Sequence, residues 1–352
     1  MKTEGILMHR TGGPEVLEWG TFELGEPGPR EVLVRVHAVA LNHLDVWTRR
    51  GLPNVKYEFP HRLGSDVAGV IEALGPGARG AQPLKVGQRV MINPGITCGV
   101  CARCLDGDDN FCAHYRILGE NTHGGYAHHI VIPDANIVPL PDALSFTDAA
   151  AIPLVFITAW QMVVRRGGVV PGQTVLVQAA GSGVSSAAIQ ICKLFGARVI
   201  ATTGSDDKAK RARSLGADEV INYQTQDFLA ECKRLTGKRG VDVVIEHVGG
   251  EVFSKSVLAT AWGGRVVTCG ATSGFKPDFD LRQIFFRQVQ VLGSTMGRKS
   301  DLLRVLSFVE QGKLGPVVDR VMPLREARAA HEALEKREAF GKIVLEVGPG
   351  AA

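Results

Sequence analysis

The chain has 352 residues and a formal net charge of +4, from 40 Lys and Arg against 36 Asp and Glu. Hydrophobic residues make up 45% and charged residues 22%, which predicts about two folded domains and excludes a disordered chain, a collagen-like repeat and a coiled coil. No run of five Lys or Arg exists to form a phosphate footprint, so nucleic acid is not the expected partner. Residues 1–10 hold no uninterrupted apolar run, and no secretory signal is expected. The uncharged run 149–164 is too short for a membrane span and contains Pro153. A longer one, 167–192, is broken by Gly, Pro, Gln and Ser. The expected setting is cytoplasmic, with no membrane partner.

The first part of the chain reads as short strands separated by turns. Residues 31–37 alternate, with Val32, Val34 and Val36 on one face; 64–74, 88–92 and 126–133 are further strands, the first of these closed by Gly75-Pro76-Gly77. This pattern suits a barrel-like β domain. Within it lie Cys98, Cys101, Cys104 and Cys112, spaced C-x2-C-x2-C-x7-C among turn-forming residues. Each two-residue step lets successive thiolates face one centre, as tetrahedral zinc requires. A disulfide cluster suits a cytosolic chain poorly, and iron–sulfur runs differ in spacing. With all four positions taken by thiolate, such a zinc is structural. Cys192, Cys232 and Cys269 lie in apolar contexts and read as inert thiols.

After residue 150 the texture changes. A strand at 174–180 leads into Gly181-Ser182-Gly183 and a helix at 184–195, whose Ala188, Ile191, Cys192 and Phe195 form one stripe stopped by Gly196. Then come a strand at 198–202, a helix at 207–215, a strand at 241–245, a helix at 253–261, and strands at 266–269 and 289–292. This alternation predicts a doubly wound parallel sheet. A helix at 301–311 and a strand at 340–347 follow, the strand able to return to the first domain.

A strand, a glycine turn and a helix N-terminus in that order make a pyrophosphate site. Gly181, Ser182, Gly183 and Val184 are its candidate residues; as G-x-G-x-x-G, the third glycine is replaced by Ser186. An NAD site places a carboxylate at the end of the second strand for the ribose hydroxyl. Thr203 stands there instead, followed by Ser205 and Lys208, a hydroxyl and a cation suited to a 2′-phosphate. NADP(H) is therefore the expected cofactor over NAD(H), with Asp206 and Asp207 read as first-turn residues of the next helix. Tyr223 is placed to stack near the adenine or reach the phosphate. The Gly249-Gly250 turn and the loop from Gly270 end two later strands, where the nicotinamide half would bind.

Taken together, these residues resemble the medium-chain dehydrogenase/reductase superfamily. The segments Val86-Gly87-Gln88-Arg89-Val90, Gly124-Gly125-Tyr126-Ala127, Gln178-Ala179-Ala180-Gly181-Ser182-Gly183-Val184 and Gly341-Lys342-Ile343-Val344-Leu345 fit its pattern. The resemblance implies an α/β fold: a GroES-like domain from residues 1–150 and 294–352, with a zinc lobe at 94–114, and a Rossmann domain at 151–293. It also implies an active site in the cleft between them, where Trp47, Tyr57, Phe59 and Phe285 would favour an apolar guest. Zinc alcohol dehydrogenases of the superfamily hold a catalytic zinc on a Cys, a His and a further Cys or acid. This sequence has Asn42, Ser65 and Leu154 at those places, and with Ile157-Thr158-Ala159-Trp160-Gln161 it resembles the quinone oxidoreductase branch. That branch usually has glycine at positions 182 and 185; both are serine here.

The resemblance thus implies hydride transfer between NADP(H) and a quinone, enone or other activated carbonyl, with a small-molecule substrate and a homodimeric or homotetrameric assembly. Asn42, His43 and Asp45 are the catalytic candidates, and Thr158 a cofactor contact. A zinc alcohol dehydrogenase with unusual ligands, Asp66 with His43 or His61, is the alternative; a non-catalytic NADPH-binding protein is another.

Overall fold

Apolar strands, broken by Gly and Pro turns, build two large sheets and two small strand pairs among the described residues. The computed structural model describes residues 1–53, 55–80 and 82–348 and divides into two compact units. The outer unit comprises Met1–Leu154, Arg298–Leu303 and Pro316–Ala352; the inner unit comprises Val155–Gly297 and Arg304–Gly315.

The outer unit opens with β1 (Lys2–Leu7) and β2 (Glu18–Glu23), an antiparallel pair. Gly5 is required in β1, since a Cβ there would lie 2.4 Å from Tyr126 O. Then come β3 (Glu31–Ala40), β4 (Asp66–Leu74) and β5 (Arg89–Ile92). The short β6 (Gly95–Ile96) and β7 (Arg116–Ile117) pair at the base of the cysteine lobe, and β8 (His129–Pro133) and β9 (Ile137–Pro139) follow.

The inner unit carries β10 (Thr174–Val177), β11 (Arg198–Thr203), β12 (Glu219–Asn222), β13 (Val241–Glu246), β14 (Thr260–Thr268) and β15 (Gln290–Gly293). All pair in parallel, in the order β12-β11-β10-β13-β14-β15. Buried Leu176, Ile200, Val244 and Val266 fill the core beside it. The order reverses between β10 and β13, and ligands of such sheets bind at the carboxyl ends beside that point. The helices Gly183–Leu194 and Asp206–Ser214 lie within one residue of their predicted starts and stops.

The chain then returns through β16 (Val318–Pro323) and β17 (Lys342–Glu346), completing a seven-stranded sheet ordered β16-β17-β3-β4-β5-β9, with β8 on β3. Segment 304–315 belongs to the inner unit because Phe308 stacks on Trp160 at 5.9 Å and Gly315 exchanges two hydrogen bonds with the Gln190 amide, at 2.9 and 3.0 Å. Among the described residues no helix is long and apolar enough to cross a membrane.

Candidate active site and metal centre

Turns build the cysteine lobe. Gly99 and Gly107 take φ of +73° and +77°, left-handed conformations that let the chain double back between ligands. Cys98 Sγ lies 3.5 Å from Cys112 Sγ and 3.9 Å from Cys104 Sγ; Cys101 Sγ lies 3.6 Å from Cys104 and 3.9 Å from Cys112. A tetrahedron of ~2.3 Å zinc–sulfur bonds has edges of about 3.8 Å, so the donor set fits zinc. Four thiolates would leave no position open to substrate, so a zinc held here would serve a structural purpose. Among the described residues this is the single group arranged to hold a metal. Arg298 pairs with Asp108, and Lys299 N donates to Asp109 Oδ1 at 3.2 Å, fastening the lobe to the helix Lys299–Glu310.

A second cluster lies at one end of the outer sheet. Ala40 of β3 is opposite both Asp66 of β4 and Val344 of β17. This register brings Asn42, Asp66 and Lys342 together. Lys342 Nζ donates to Asp66 Oδ2 at 2.9 Å and to Asn42 Oδ1 at 2.5 Å. Asn42 Nδ2 donates to the same Asp66 oxygen at 2.9 Å, and Asp66 Oδ1 accepts from Leu154 N at 2.7 Å. The pair is sealed: the Lys342 side chain is 3% exposed and that of Asp66 0%. Ser65 Oγ is buried beside them in sequence, with no hydrogen-bond partner among the described residues.

Of the catalytic candidates, Asn42 has its amide engaged at both ends. Asp45 is buried and accepts from Asn42 N at 2.7 Å and Gly64 N at 2.9 Å. Burial outweighs those bonds and pushes its carboxyl up to about 6. His43 is half-buried, its ring edge-on to Trp47 at 6.0 Å, and burial holds it below the usual histidine range. His61 Nε2 is bonded to Gly119 O at 3.0 Å.

In the inner unit, Ala179 at φ +51° bends the chain out of β10 through Gly181 into Ser182, whose Oγ caps the helix Gly183–Leu194 by accepting from Ser185 N at 3.1 Å. Val184 lies in the first turn of that helix. Ser205 caps the next helix, accepting from Lys208 N at 3.3 Å. Tyr223 packs on the loop after β11, its hydroxyl 2.6 Å from where a Gly204 Cβ would stand. Asn222 Nδ2 donates to Asp206 Oδ1 at 2.9 Å. At the ends of β13 and β14, buried Glu246 accepts from Val248 N and Gly249 N at 2.7 and 2.8 Å and from Thr268 Oγ1 at 3.2 Å. The same Thr268 hydroxyl also lies 3.1 Å from Gly270 O, so its one proton is shared between the two acceptors. Gly249, at φ +78°, is obligatory: a Cβ would lie 2.3 Å from Gly274 O.

The topology thus gathers Gly181, Ser182, Gly183, Val184, Ser205, Tyr223, Gly249 and Gly270 at the carboxyl edge of one sheet. The buried Thr158 Oγ1, without a partner among the described residues, is a polar group suited to a cofactor. Lys342 and Glu246, which no sequence motif marked, join these clusters in the fold. Each owes its place to strands paired far along the chain, a relation no local motif carries.

Residues 28–142 match the family model of the alcohol dehydrogenase GroES-like domain, and residues 183–311 that of zinc-binding dehydrogenases. The NAD-dependent alcohol dehydrogenase of Sulfolobus acidocaldarius is 31% identical over 98% of this chain and 99% of its own length. The human quinone oxidoreductase is 29% identical over 97% of this chain and 96% of its own. The crystal structure of an NAD-dependent alcohol dehydrogenase, 54% identical, superposes with a TM-score of 0.94 and covers 98% of this chain and 100% of that one. The chain belongs to the medium-chain dehydrogenase/reductase superfamily of oxidoreductases, pairing a GroES-like unit with a Rossmann unit.

Proposed function

We propose that this protein is an NADP(H)-dependent reductase that passes hydride to a quinone, an enone or another activated carbonyl, with no zinc at the reacting oxygen. The observation that carries this reading is the Lys342 ammonium, bonded to Asn42 and Asp66 where the zinc-dependent relatives would gather ligands. An amide, a hydroxyl and a leucine are poor metal donors, and the nearby carboxylate already has its cation. Asp66 and His61, which an alcohol dehydrogenase with unusual ligands would need, are both engaged. Alcohol oxidation leans on a Lewis acid to acidify the hydroxyl. Conjugate reduction needs only hydrogen-bond donors for the charge developing on oxygen.

When bound, the nicotinamide supplies the hydride. The chain's own residues bind and orient. The N–H groups of Gly183 and Val184, at the positive end of their helix, hold the pyrophosphate. Glu246 fixes the Gly249 turn, and the Thr158 hydroxyl takes a bond from the cofactor. Asn42 and Asp45 act by positioning, since their polar atoms are engaged within the fold. His43 remains as the candidate to carry a proton.

The NADP(H) preference rests on Thr203, which leaves the ribose-binding place without a carboxylate, and on Ser205 and Lys208 after it. The named NAD dependence of relatives favours the opposite reading, with Asp206, steadied by Asn222, as the acid that would serve NAD(H). A homo-oligomer of cytoplasmic setting completes the reading. β15 is an open sheet edge, and Leu281, Phe285, Phe286 and Val291 on and before it are exposed. Phe285, expected to line the substrate cleft, lies on this surface.

Metal analysis with a cofactor titration tests the proposal. About one zinc per chain, tighter binding of NADPH than NADH, and NADPH oxidation by a quinone or enone are expected. About two zincs per chain with alcohol-dependent NADP reduction would overturn it. Tight NADPH binding without turnover of any quinone, enone or aldehyde would favour the non-catalytic alternative.

A further inference from the structure

The two serines that replace glycine in the dinucleotide loop touch the same imidazole. His247 Nε2 lies 2.9 Å from Ser185 Oγ and 3.0 Å from Ser182 Oγ. His247 is 9% exposed and directly follows β13, the strand parallel to β10, which feeds the loop. A hydroxyl has one proton to donate and two lone pairs to offer. Ser185 Oγ donates its proton to Gln178 O at 2.6 Å. Toward the imidazole it can therefore only accept, so Nε2 carries the hydrogen. Ser182 Oγ already accepts from Ser185 N. Its second lone pair faces the shared Nε2–H, and its own proton points away from the ring. That proton is left at the head of a 12-residue helix, whose positive end suits a phosphate. Were Nε2 bare, the ring would take the Ser182 proton instead.

We propose that His247, held in its Nε2–H form by Ser185, is a positioning residue that presents the Ser182 hydroxyl as a donor to the pyrophosphate of the dinucleotide. The inference rests on the dinucleotide reading above. Ser182 touches the ligand, His247 sets the direction of its proton, and Ser185 sets the tautomer of His247. The paired departure from glycine at positions 182 and 185 then has one cause, because a hydroxyl at 182 is a dependable donor only while the second serine fixes the ring between them.

The test compares binding of ADP-ribose, which carries the pyrophosphate, with binding of adenosine, which lacks it, using the full chain and calorimetry. Ser185→Ala and His247→Leu are expected to weaken ADP-ribose about tenfold and to leave adenosine within about twofold. His247→Gln places an amide N–H near the position of Nε2–H and is expected to restore most of the affinity. Nitrogen NMR of labelled histidines, with His247 assigned by its loss in His247→Gln, is expected to show a protonated Nε2 that Ser185→Ala releases. Equal losses for both ligands, or an Nδ1–H ring in the unaltered protein, would overturn the inference. Failure of the unaltered protein to bind ADP-ribose at all would instead overturn the dinucleotide reading on which it rests.

Discussion

The cysteine lobe and the Asn42–Asp66–Lys342 cluster are both shaped for a cation: the first could take a metal ion from solution, and the second holds an ammonium of its own chain. The lobe gathers four thiol groups from one stretch, residues 98–112, into a group that could hold a metal ion. The cluster is closed by Lys342, a residue 276 positions beyond Asp66 and tethered by strand pairing. The ammonium balances the one carboxylate of the cluster, whereas four thiolates would outweigh a divalent ion. Among the described residues only the lobe is arranged to hold a metal ion. An ammonium donates hydrogen bonds but has no coordination position to lend a substrate oxygen. On the metal-free reading proposed above, a cation that arrives with the fold leaves no buried carboxylate unpaired.

Removing the ion from the lobe is the strongest way to press this contrast. Zinc binding supplies on the order of 10 kcal/mol of folding free energy in small structural sites. Cys112→Ser is expected to abolish zinc content, open 98–112 to proteolysis and lower the unfolding temperature, while amides of β10 and β13 stay protected from exchange. Loss of that protection would show the ion to support more than its lobe. Lys342→Met attacks the other cation. It strands Asp66 as an uncompensated buried charge, which costs about 3–5 kcal/mol. Adding Asp66→Asn removes the charge, keeps an acceptor for Leu154 N, and is expected to recover at least half of the loss in urea unfolding. A single substitution within about 1 kcal/mol of the parent would break the idea that Lys342 balances this site.

How far the sequence could show this contrast depended on distance along the chain. The cysteine lobe was legible because its ligands lie within one loop, and the parallel sheet because each strand, glycine turn and helix is a local pattern. The cluster was half legible. Asn42, Ser65 and Leu154 marked what was missing, but nothing near Lys342 announces a partner on β4. Asn42 and Asp45 looked like free catalytic groups for the same reason, since their bonds to Lys342, Asp66 and Gly64 appear only once β3, β4 and β17 are in register. The β1–β2 pair was missed because Gly5 interrupts it, and β16 because it is an edge strand with an irregular exposure pattern.

Another buried cation, Arg49, shows what happens when its neighbour must stay neutral. Arg49 is fully buried; it donates to His331 Nδ1 at 3.0 Å and to Glu335 at 2.7 Å, and His331 Nε2 meets the Tyr126 hydroxyl at 3.1 Å. Burial, with the Arg49 charge adding to it, depresses the imidazole from 6.5 to about 3. A depressed value means that the unfolded chain binds the proton more readily. The ring's contribution is thus complete above about pH 6.5 and is lost progressively as pH falls toward 3. At about 1.4 kcal/mol per pKa unit, the loss between pH 7 and pH 4 is roughly 3 kcal/mol. His331→Gln, which can still accept from Arg49 and donate to Tyr126, is expected to flatten that slope in denaturant titrations. An unchanged slope would place the acid sensitivity elsewhere.

The smallest expected effect asks whether cofactor choice is independent of both clusters of the outer unit. β11, the helix Asp206–Ser214 and Tyr223 all lie in the inner unit. A carboxylate at Thr203 would repel a 2′-phosphate and accept from a ribose hydroxyl, with Ser205 still capping its helix. Thr203→Asp is therefore expected to move the NADPH-to-NADH affinity ratio about tenfold toward NADH, with zinc content unchanged and the unfolding temperature lowered, because position 203 is buried. A ratio that does not move would argue that Asp206 already serves the ribose and that the preference is for NAD(H). A fall in zinc content would show that the inner sheet and the cysteine lobe are linked, and the separation of a structural ion from the hydride chemistry would no longer hold.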